Sequence, residues 1–422
     1  MSLVIWLPFT EGLDNQGLRH TTFSGVSSCN AAINSAGKIG KCYTSSAGAI
    51  VSSAKVNLGT NVSMFAWIKP GGVSGYQGIC GQYRGGDPSS TSSSTGIAFG
   101  LNGSGLRVTI GSTAAASLGV TISSGVWTHV GFTYSASSKK VSFYVNGVFA
   151  SETANISYSA PNDYVLVFGS AFKTSTATDT SSHAKIFNGA LNDVRIFDHC
   201  CSAKEAKEMS LGIVLHYKFD DDTILRSTMY DCSGYRNNGT VTGTLTSSTD
   251  SGRYSRSLLF PNTAAGTNFI TVNTAASICP ALSNCTVTWW AKCNSVQSLL
   301  LTGQTTYYYL MASDSTKAFY HGNVGGTPTY YVDGTVVTTD ATRHYTAGEW
   351  HHYAITGISL SSWTNILVNN YGNVTTWCIN GLVNDLRIYS TKLSADDIKS
   401  LARTMAAVDD KGAIHTYEFI EC

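Results

Sequence analysis

Two tandem antiparallel β-sandwiches joined by a short helix, an all-β fold, are what this sequence predicts, on three observations. The chain states one passage twice: Asn188-Gly189-Ala190-Leu191-Asn192-Asp193-Val194-Arg195-Ile196-Phe197 returns as Asn380-Gly381-Leu382-Val383-Asn384-Asp385-Leu386-Arg387-Ile388-Tyr389. A repeat of about 200 residues is far longer than a solenoid unit and means a duplicated domain. Glycine is frequent, at 41 of 422 residues, and Ser/Thr-rich stretches separate short apolar runs, as in a chain of many strands joined by turns. Only 13% of residues are charged against 43% hydrophobic, so the surface must be built largely of Ser, Thr, Asn and Gly. The expected units are 1–210 and 211–405, followed by a tail at 406–422. Each sandwich, at about 200 residues, can bury a full core without disulfide or metal staples.

The elements follow in order. Met1 to Phe9 has no basic start and only a short apolar run, so it reads as a first strand rather than a signal peptide. Val62 to Ile68 is apolar on both faces, as a central strand should be, and Pro70-Gly71-Gly72 ends it. Val126 to Tyr134 is a second long strand. Val141, Phe143 and Val145 alternate onto one face, and Asn146-Gly147 then turns the chain into Val148-Phe149-Ala150, because both turn residues tolerate positive φ. Ser202-Ala203-Lys204-Glu205 is a capping box that opens the joining helix, and Gly212 stops it. The second half answers with Val287 to Lys292, Gly348 to Ala354, the repeated passage, and a helix opened by Ser394-Ala395-Asp396-Asp397. It lacks the Tyr-Val-Asn-Gly hairpin text. Residues 413–419 look like the first strand of a third copy. That orphan strand must pair with its own domain or, by β-augmentation, with another copy of the chain, so a homo-oligomer is expected.

Composition excludes several classes. Formal net charge is +1 and Lys139-Lys140 is the densest positive pair of the first half, so nucleic acid is not an expected partner. No stretch reaches the ~20 apolar residues of a membrane span. The 11 cysteines include no Cys-x-x-Cys and no Cys/His spacing that resembles a zinc site, and they read as small buried thiols in a reducing compartment. No nucleophile elbow, zinc-protease or phosphate-loop motif occurs.

Taken together, Trp-Ile-Lys-Pro at 67–70, Gly-Val-Trp-Thr-His-Val at 125–130, Phe-Tyr-Val-Asn-Gly at 143–147, Tyr-Lys-Phe-Asp-Asp at 217–221, Asp231 to Thr240, Gly-Glu-Trp-His-His at 348–352 and the repeated passage resemble the laminin-G-like (concanavalin A-like) jelly-roll family of bacteria and phages. The opening, with Trp6-Leu7-Pro8-Phe9 and Gly37-Lys38-Ile39-Gly40-Lys41-Cys42-Tyr43, resembles phage proteins of gut bacteria that carry such modules on virions. The resemblance implies a virion component on tail or capsid, assembled in the host cytoplasm. Its expected partners are other virion proteins and host-surface or mucus glycans. A bacterial surface carbohydrate-binding protein and a pure scaffold are the alternatives.

Glycosidases of this fold resemble one another in a Glu-x-Asp-x-Glu strand, and none is present, so no enzyme is expected. His129, His351 and His352 follow the Trp of a core strand and read as packing or surface groups rather than bases. For sugar contact the candidates are loop aromatics expected to be exposed: Tyr76, Tyr83, Tyr307, Tyr308, Tyr309, Tyr330, Tyr331, Trp363 and Trp377. The resemblance implies a structural Ca²⁺ whose best candidate ligands are Asp231, Ser233 and Asn237; an Asx-turn in which Asp231 holds backbone N–H groups is the other reading. Asp193 with Arg195, and Asp385 with Arg387, are expected to be structural pairs that lock the repeated strand.

Overall fold

A computed structural model describes residues 2–9, 13–18, 21–25, 32–34, 37–45, 48–84, 95–111, 113–116, 119–158, 164–172, 183–220, 224–225, 227–250, 253–254, 256–261, 267–294, 298–305, 307–312, 319–337, 348–370 and 378–403. Trp377 and the expected tail with its strand at 413–419 lie outside them. The chain divides into two compact units, Met1–Leu211 and Gly212–Cys422, each built of antiparallel sheets.

In the first unit one sheet runs Val148–Thr153, Lys140–Val145, Thr128–Ser135, Val62–Pro70, Gly189–Phe197, Cys42–Ser45, Ala32–Asn34, with Leu3–Leu7 also paired to Gly189–Phe197. The facing sheet runs Thr113–Ala116, Gly105–Ile110, Thr95–Asn102, Tyr76–Arg84, Val165–Phe168, Ile50–Lys55, Phe23–Gly25. Strand alternation decides what each residue meets. Met64, Ala66 and Ile68 join Val130, Phe132 and Phe143 in the core between the sheets. Phe65 points the other way, into a smaller cluster with Tyr144, Phe197, Ala206 and Met209. The helix Ala203–Ser210 exists to cover that outer patch, and its capping box forms as the sequence implies.

Asn146 and Gly147 turn the hairpin with φ of 49° and 74°. A Cβ on Gly147 would overlap Ser210 Oγ and the Lys207 backbone, so this turn also seats the helix.

The second unit repeats the plan with one difference in chain order. Its first sheet runs Thr246–Ser248, Ser257–Phe260, Gly381–Tyr389, Cys285–Cys293, His351–Ser359, Gly325–Val332, Thr335–Val337, with Ile213–Tyr217 paired to Gly381–Tyr389. The slots beside the Trp-His strand are filled by Gly325–Val332 and Thr335–Val337, joined by Asp333 and Gly334 at φ of 50° and 76°. Here the hairpin precedes its neighbour strand; in the first unit it follows. Tyr331-Val332-Asp333-Gly334 is therefore the hairpin text thought missing. The second sheet runs Ile224–Leu225, Thr228–Met229, Gly239–Thr242, Phe269–Val272, Leu367–Val368, Ser298–Thr302, Tyr309–Ala312, Phe319–Gly322.

Eight described cysteines are thiols, seven of them buried, but Cys232 is disulfide-bonded, which corrects the all-thiol expectation.

Candidate functional site

The most repetitive passage of the sequence forms the same irregularity in each unit. Pairing against the central strand slips between Asn192 and Arg195, and again between Arg387 and Asn384. Asp193 and Asp385 absorb the slip with left-handed φ of 51° and 52°, strain worth roughly 1 kcal/mol or more each. The preceding asparagines are buried and tie loops to the strand. Asn192 accepts from Ile39 N (2.6 Å) and donates to the carbonyls of Pro8 and Lys41 (both 2.8 Å). Asn384 accepts from Arg253 N (3.1 Å) and donates to the carbonyls of Lys218 (3.1 Å) and Arg256 (2.6 Å).

The Asp–Arg pairs sit beside these asparagines with different company. In the first unit Asp193 Oδ1 accepts from Arg195 Nε (2.9 Å) and Trp6 Nε1 (2.6 Å), and the guanidinium lies 4.6 Å from the Trp6 ring centre. In the second, Asp385 accepts from Arg387 Nε (2.6 Å), meets Arg253 Nε at 3.1 Å and hydrogen-bonds His216 Nε2 at 2.9 Å. Arg387 also donates to the Tyr254 hydroxyl at 2.7 Å. Burial alone would raise the Asp385 carboxyl, but Arg387, His216 and Arg253 hold it well below the usual range. Burial lowers His216 to about 4, and the adjacent Arg387 opposes a further positive charge. A neutral imidazole donating Nε2–H to Asp385 fits both facts. Trp6, His216, Arg253 and Tyr254 were not singled out from sequence; the equivalent places of Trp6 and His216 in the opening strands were the available signal.

His129 and His352 are buried against Trp67 and Trp290, at 5.2 Å between ring centres in each unit. Burial lowers both to about 3. Neutral, dry rings of this kind are packing groups rather than bases poised for neutral pH.

The Asp231 loop resolves into an acceptor surrounded by donors. Its Oδ1 accepts from His216 N (2.8 Å) and Ser233 N (3.0 Å), its Oδ2 from Ser233 Oγ (2.6 Å) and Asn237 N (2.9 Å). Asn237 Nδ2 donates to Val214 O (2.7 Å) and its Oδ1 accepts from Thr274 Oγ1 (2.6 Å). Calcium needs six to eight free oxygens; these are pointed at by N–H and O–H groups, so Asp231, Ser233 and Asn237 do not fit the ion. In the first unit Asn15 Oδ1 makes the matching pair of bonds, to Trp6 N (3.0 Å) and Gly17 N (2.9 Å). A neutral amide suffices at that spot.

The aromatic candidates separate sharply. Tyr76, Tyr83, Tyr330, Tyr331 and Trp363 are buried, against expectation. Tyr76 and Tyr83 belong to the strand Tyr76–Arg84. Tyr330 and Tyr331 fill the hairpin strand: Tyr330 stacks on Phe319 at 5.0 Å and bonds His321 Nδ1 at 2.7 Å. Trp363 Nε1 donates to Asn323 O at 3.1 Å. The run Tyr307, Tyr308, Tyr309 behaves differently. Tyr307 is 72% exposed on the turn between Ser298–Thr302 and Tyr309–Ala312. Tyr308 is half-buried edge-on to Trp363, 6.2 Å between centres, and Tyr309 is half-buried over the backbone of Gly322. The turn is closed by Gly303 N to Tyr308 O (2.7 Å) and Tyr308 N to Thr305 O (3.0 Å). The result is one free ring on an anchored turn. Phe149, 51% exposed on the first unit's edge strand, and the exposed Tyr230 of the second unit are further aromatics that the sequence did not single out.

Among known proteins, a laminin G family profile described as "Concanavalin A-like lectin/glucanases superfamily" matches residues 44–207. That match spans the greater part of the first unit, whose antiparallel sheets agree with a jelly-roll fold. No curated protein matches. Among solved structures, domain 4 of AbnA, a GH43 extracellular arabinanase from Geobacillus stearothermophilus, in complex with arabinotriose, is 17% identical with a TM-score of 0.37, over 50% of this chain and 98% of that one. The heptameric SAP-like pentraxin of Limulus polyphemus is 14% identical with a TM-score of 0.31, over 38% and 75%. The Ruminococcus gnavus IT-sialidase CBM40 bound to α2,3-sialyllactose is 10% identical with a TM-score of 0.30, over 36% and 82%.

Proposed function

We propose that this chain is a non-enzymatic adhesion protein that binds glycans, and that Tyr307 is the contact residue of its second unit. The observation that carries this is the anchored turn. Tyr307 leaves a ring face to solvent while Tyr308 and Tyr309 hold the backbone that presents it. Sugar recognition needs a flat apolar surface for the pyranose face and polar groups at its edge, and a ring held at little entropic cost is the cheap way to supply the first. Exposed Gln304 stands on the same turn. The three buried aspartates of the site, Asp193, Asp231 and Asp385, are engaged by the protein's own donors, which favours binding over turnover.

The reading extends to a virion surface, on tail or capsid, beside other virion proteins and further copies of this chain; the likeness of the opening residues supports it. A carbohydrate-binding protein of a bacterial surface is the second reading, and the lectin-fold match over residues 44–207 favours it equally.

A glycan array probed with the whole chain tests the core of the proposal. Binding to at least one surface polysaccharide or mucin glycan is expected, unchanged in composition after incubation. Tyr307→Ala should weaken it roughly tenfold, the usual cost of truncating a central aromatic. An array with no bound glycan, equal binding by Tyr307→Ala, or release of sugar from the bound glycan would each refute it.

A further inference from the structure

The closing strand of the first unit runs into its helix through Asp198-His199-Cys200-Cys201-Ser202. Three side chains converge there. His199 Nε2 lies 3.0 Å from Glu205 Oε1 and 3.6 Å from Cys201 Sγ, and the three atoms all lie within 4.8 Å of one another. Cys201 is buried, while His199 and Glu205 are half-buried.

The second unit supplies the control. Its strand enters its helix through Ser390-Thr391-Lys392-Leu393-Ser394, with Asp397 in the place of Glu205. The backbone is fixed the same way in both. Ser63 Oγ donates to His199 O (2.6 Å) and accepts from Cys201 N (2.9 Å); Thr286 Oγ1 donates to Thr391 O (2.8 Å) and accepts from Leu393 N (3.0 Å). Both helices also carry a complete capping box. This turn therefore needs neither a histidine nor a cysteine to form. Thr391 and Leu393 do the structural job, so the His199–Cys201 pair is surplus to it.

We propose that His199 Nε2, Cys201 Sγ and Glu205 Oε1 form a binding site for a zinc-class divalent cation. Bond lengths to Zn²⁺ set the edges of a tetrahedron at about 3.6 Å for N···S and about 3.4 Å for N···O. The first matches the observed separation, and the second is met by a small outward movement of Glu205. One nitrogen, one sulfur and one oxygen make the borderline donor set that zinc takes. On binding, the Cys201 thiol gives its proton to water and its sulfur lone pair to the metal. Glu205 brings the second negative charge, so the loaded site is neutral, and a solvent oxygen completes the tetrahedron. With Nε2 on the metal, His199 carries its proton on Nδ1. That nitrogen makes no hydrogen bond now and faces Asp198 Oδ1 at 3.8 Å, where a carboxylate orients a ligand histidine. The metal would pin the end of the closing strand to the first turn of the helix.

Cobalt is the probe. Metal-free whole chain with its Cys232 disulfide intact, titrated with Co²⁺, should develop a thiolate-to-cobalt charge-transfer band and the strong visible bands of a tetrahedral centre, saturating at one equivalent, and Zn²⁺ should bleach them. Cys200→Ser, which changes the exposed neighbour, should keep the spectrum. His199→Thr and Cys201→Leu install the second unit's own residues in a turn that accommodates them there. Each should weaken metal binding by more than about tenfold, and Cys201→Leu should abolish the charge-transfer band. No band at stoichiometric cobalt overturns the proposal, as does a band that survives both substitutions and so belongs to other thiols. His199→Thr leaves every cysteine in place, so it decides the matter even if Cys201→Leu does not fold.

Discussion

Acidification should destabilise both units well before their carboxylates matter, and the second more than the first. Unfolded histidine titrates near 6.5, whereas burial lowers His129 and His352 to about 3 and His216 to about 4. With the folded value depressed, the unfolded chain binds more protons below pH 6.5, and stability falls as pH drops from 6.5 towards 3–4. One pKa unit corresponds to about 1.4 kcal/mol, so at pH 5 each such histidine costs about 2 kcal/mol. The first unit holds one of them and the second holds two, giving expected losses of about 2 and about 4 kcal/mol. Asp231, raised by burial, acts in the opposite sense and trims the second figure. Asp385 is held too low to contribute in this window. Urea unfolding of the whole chain at pH 7 and pH 5 measures the effect. His352→Gln and His129→Gln isolate it, since each should shrink the difference between the two pH values by about 2 kcal/mol whatever it does to stability at pH 7. Equal stability at the two pH values, or variants with the same pH difference as the parent, would refute the assignment of dry, neutral histidines.

Asp385→Asn removes the buried carboxylate that two half-buried guanidinium groups face and should cost about 3 kcal/mol by urea unfolding, a larger loss than a surface carboxylate would give. Gly147→Ala should destabilise the first unit more than Gly125→Ala. Both positions have φ of 74°, but only at Gly147 would the new methyl meet Ser210 and Lys207 of the helix, and thermal unfolding of the two variants tests this directly. Millimolar Ca²⁺ should leave the thermal midpoint unchanged, because the Asp231 oxygens are already occupied by donors; a rise with Ca²⁺ would show that the loop opens to hold the ion.

Much of the frame could be read from sequence because it rests on local rules. Alternation placed Val141, Phe143 and Val145 on the core face, Asn146-Gly147 specified its turn, and the capping boxes marked both helices. What could not be read depends on chain order and distant partners. The second hairpin was missed because its Asp333-Gly334 turn comes before the Trp-His strand it packs beside. That same error put Tyr330 and Tyr331 on a loop, when they fill the strand slot that Phe143 and Tyr144 fill in the first unit. The fate of an aromatic is decided by what covers it, and Trp363 is covered by elements remote from it in sequence. Likewise, Asp385 gave no sign that His216 and Arg253, 169 and 132 positions away, would converge on it.

The two units together separate what the fold requires from what each copy has added. Both keep a buried Asn that fastens loops, a left-handed Asp, and an Arg two residues on. The third partner has been free to change: an indole in one copy, and an imidazole with a second guanidinium in the other. A carboxylate that accepts chemically unlike donors in this way is serving the backbone slip rather than a ligand, since a ligand site would hold its donors fixed and vary the frame. The same comparison sets apart features that occur once among the described residues. The exposed Tyr307 ring belongs to the second unit alone in its sequence setting, and His199 with Cys201 to the first. Copies of one fold that share their scaffold and differ in their surplus are best searched for function in the surplus, and there the tyrosine turn and the His–Cys–Glu cluster are the two proposed sites, each with its own test.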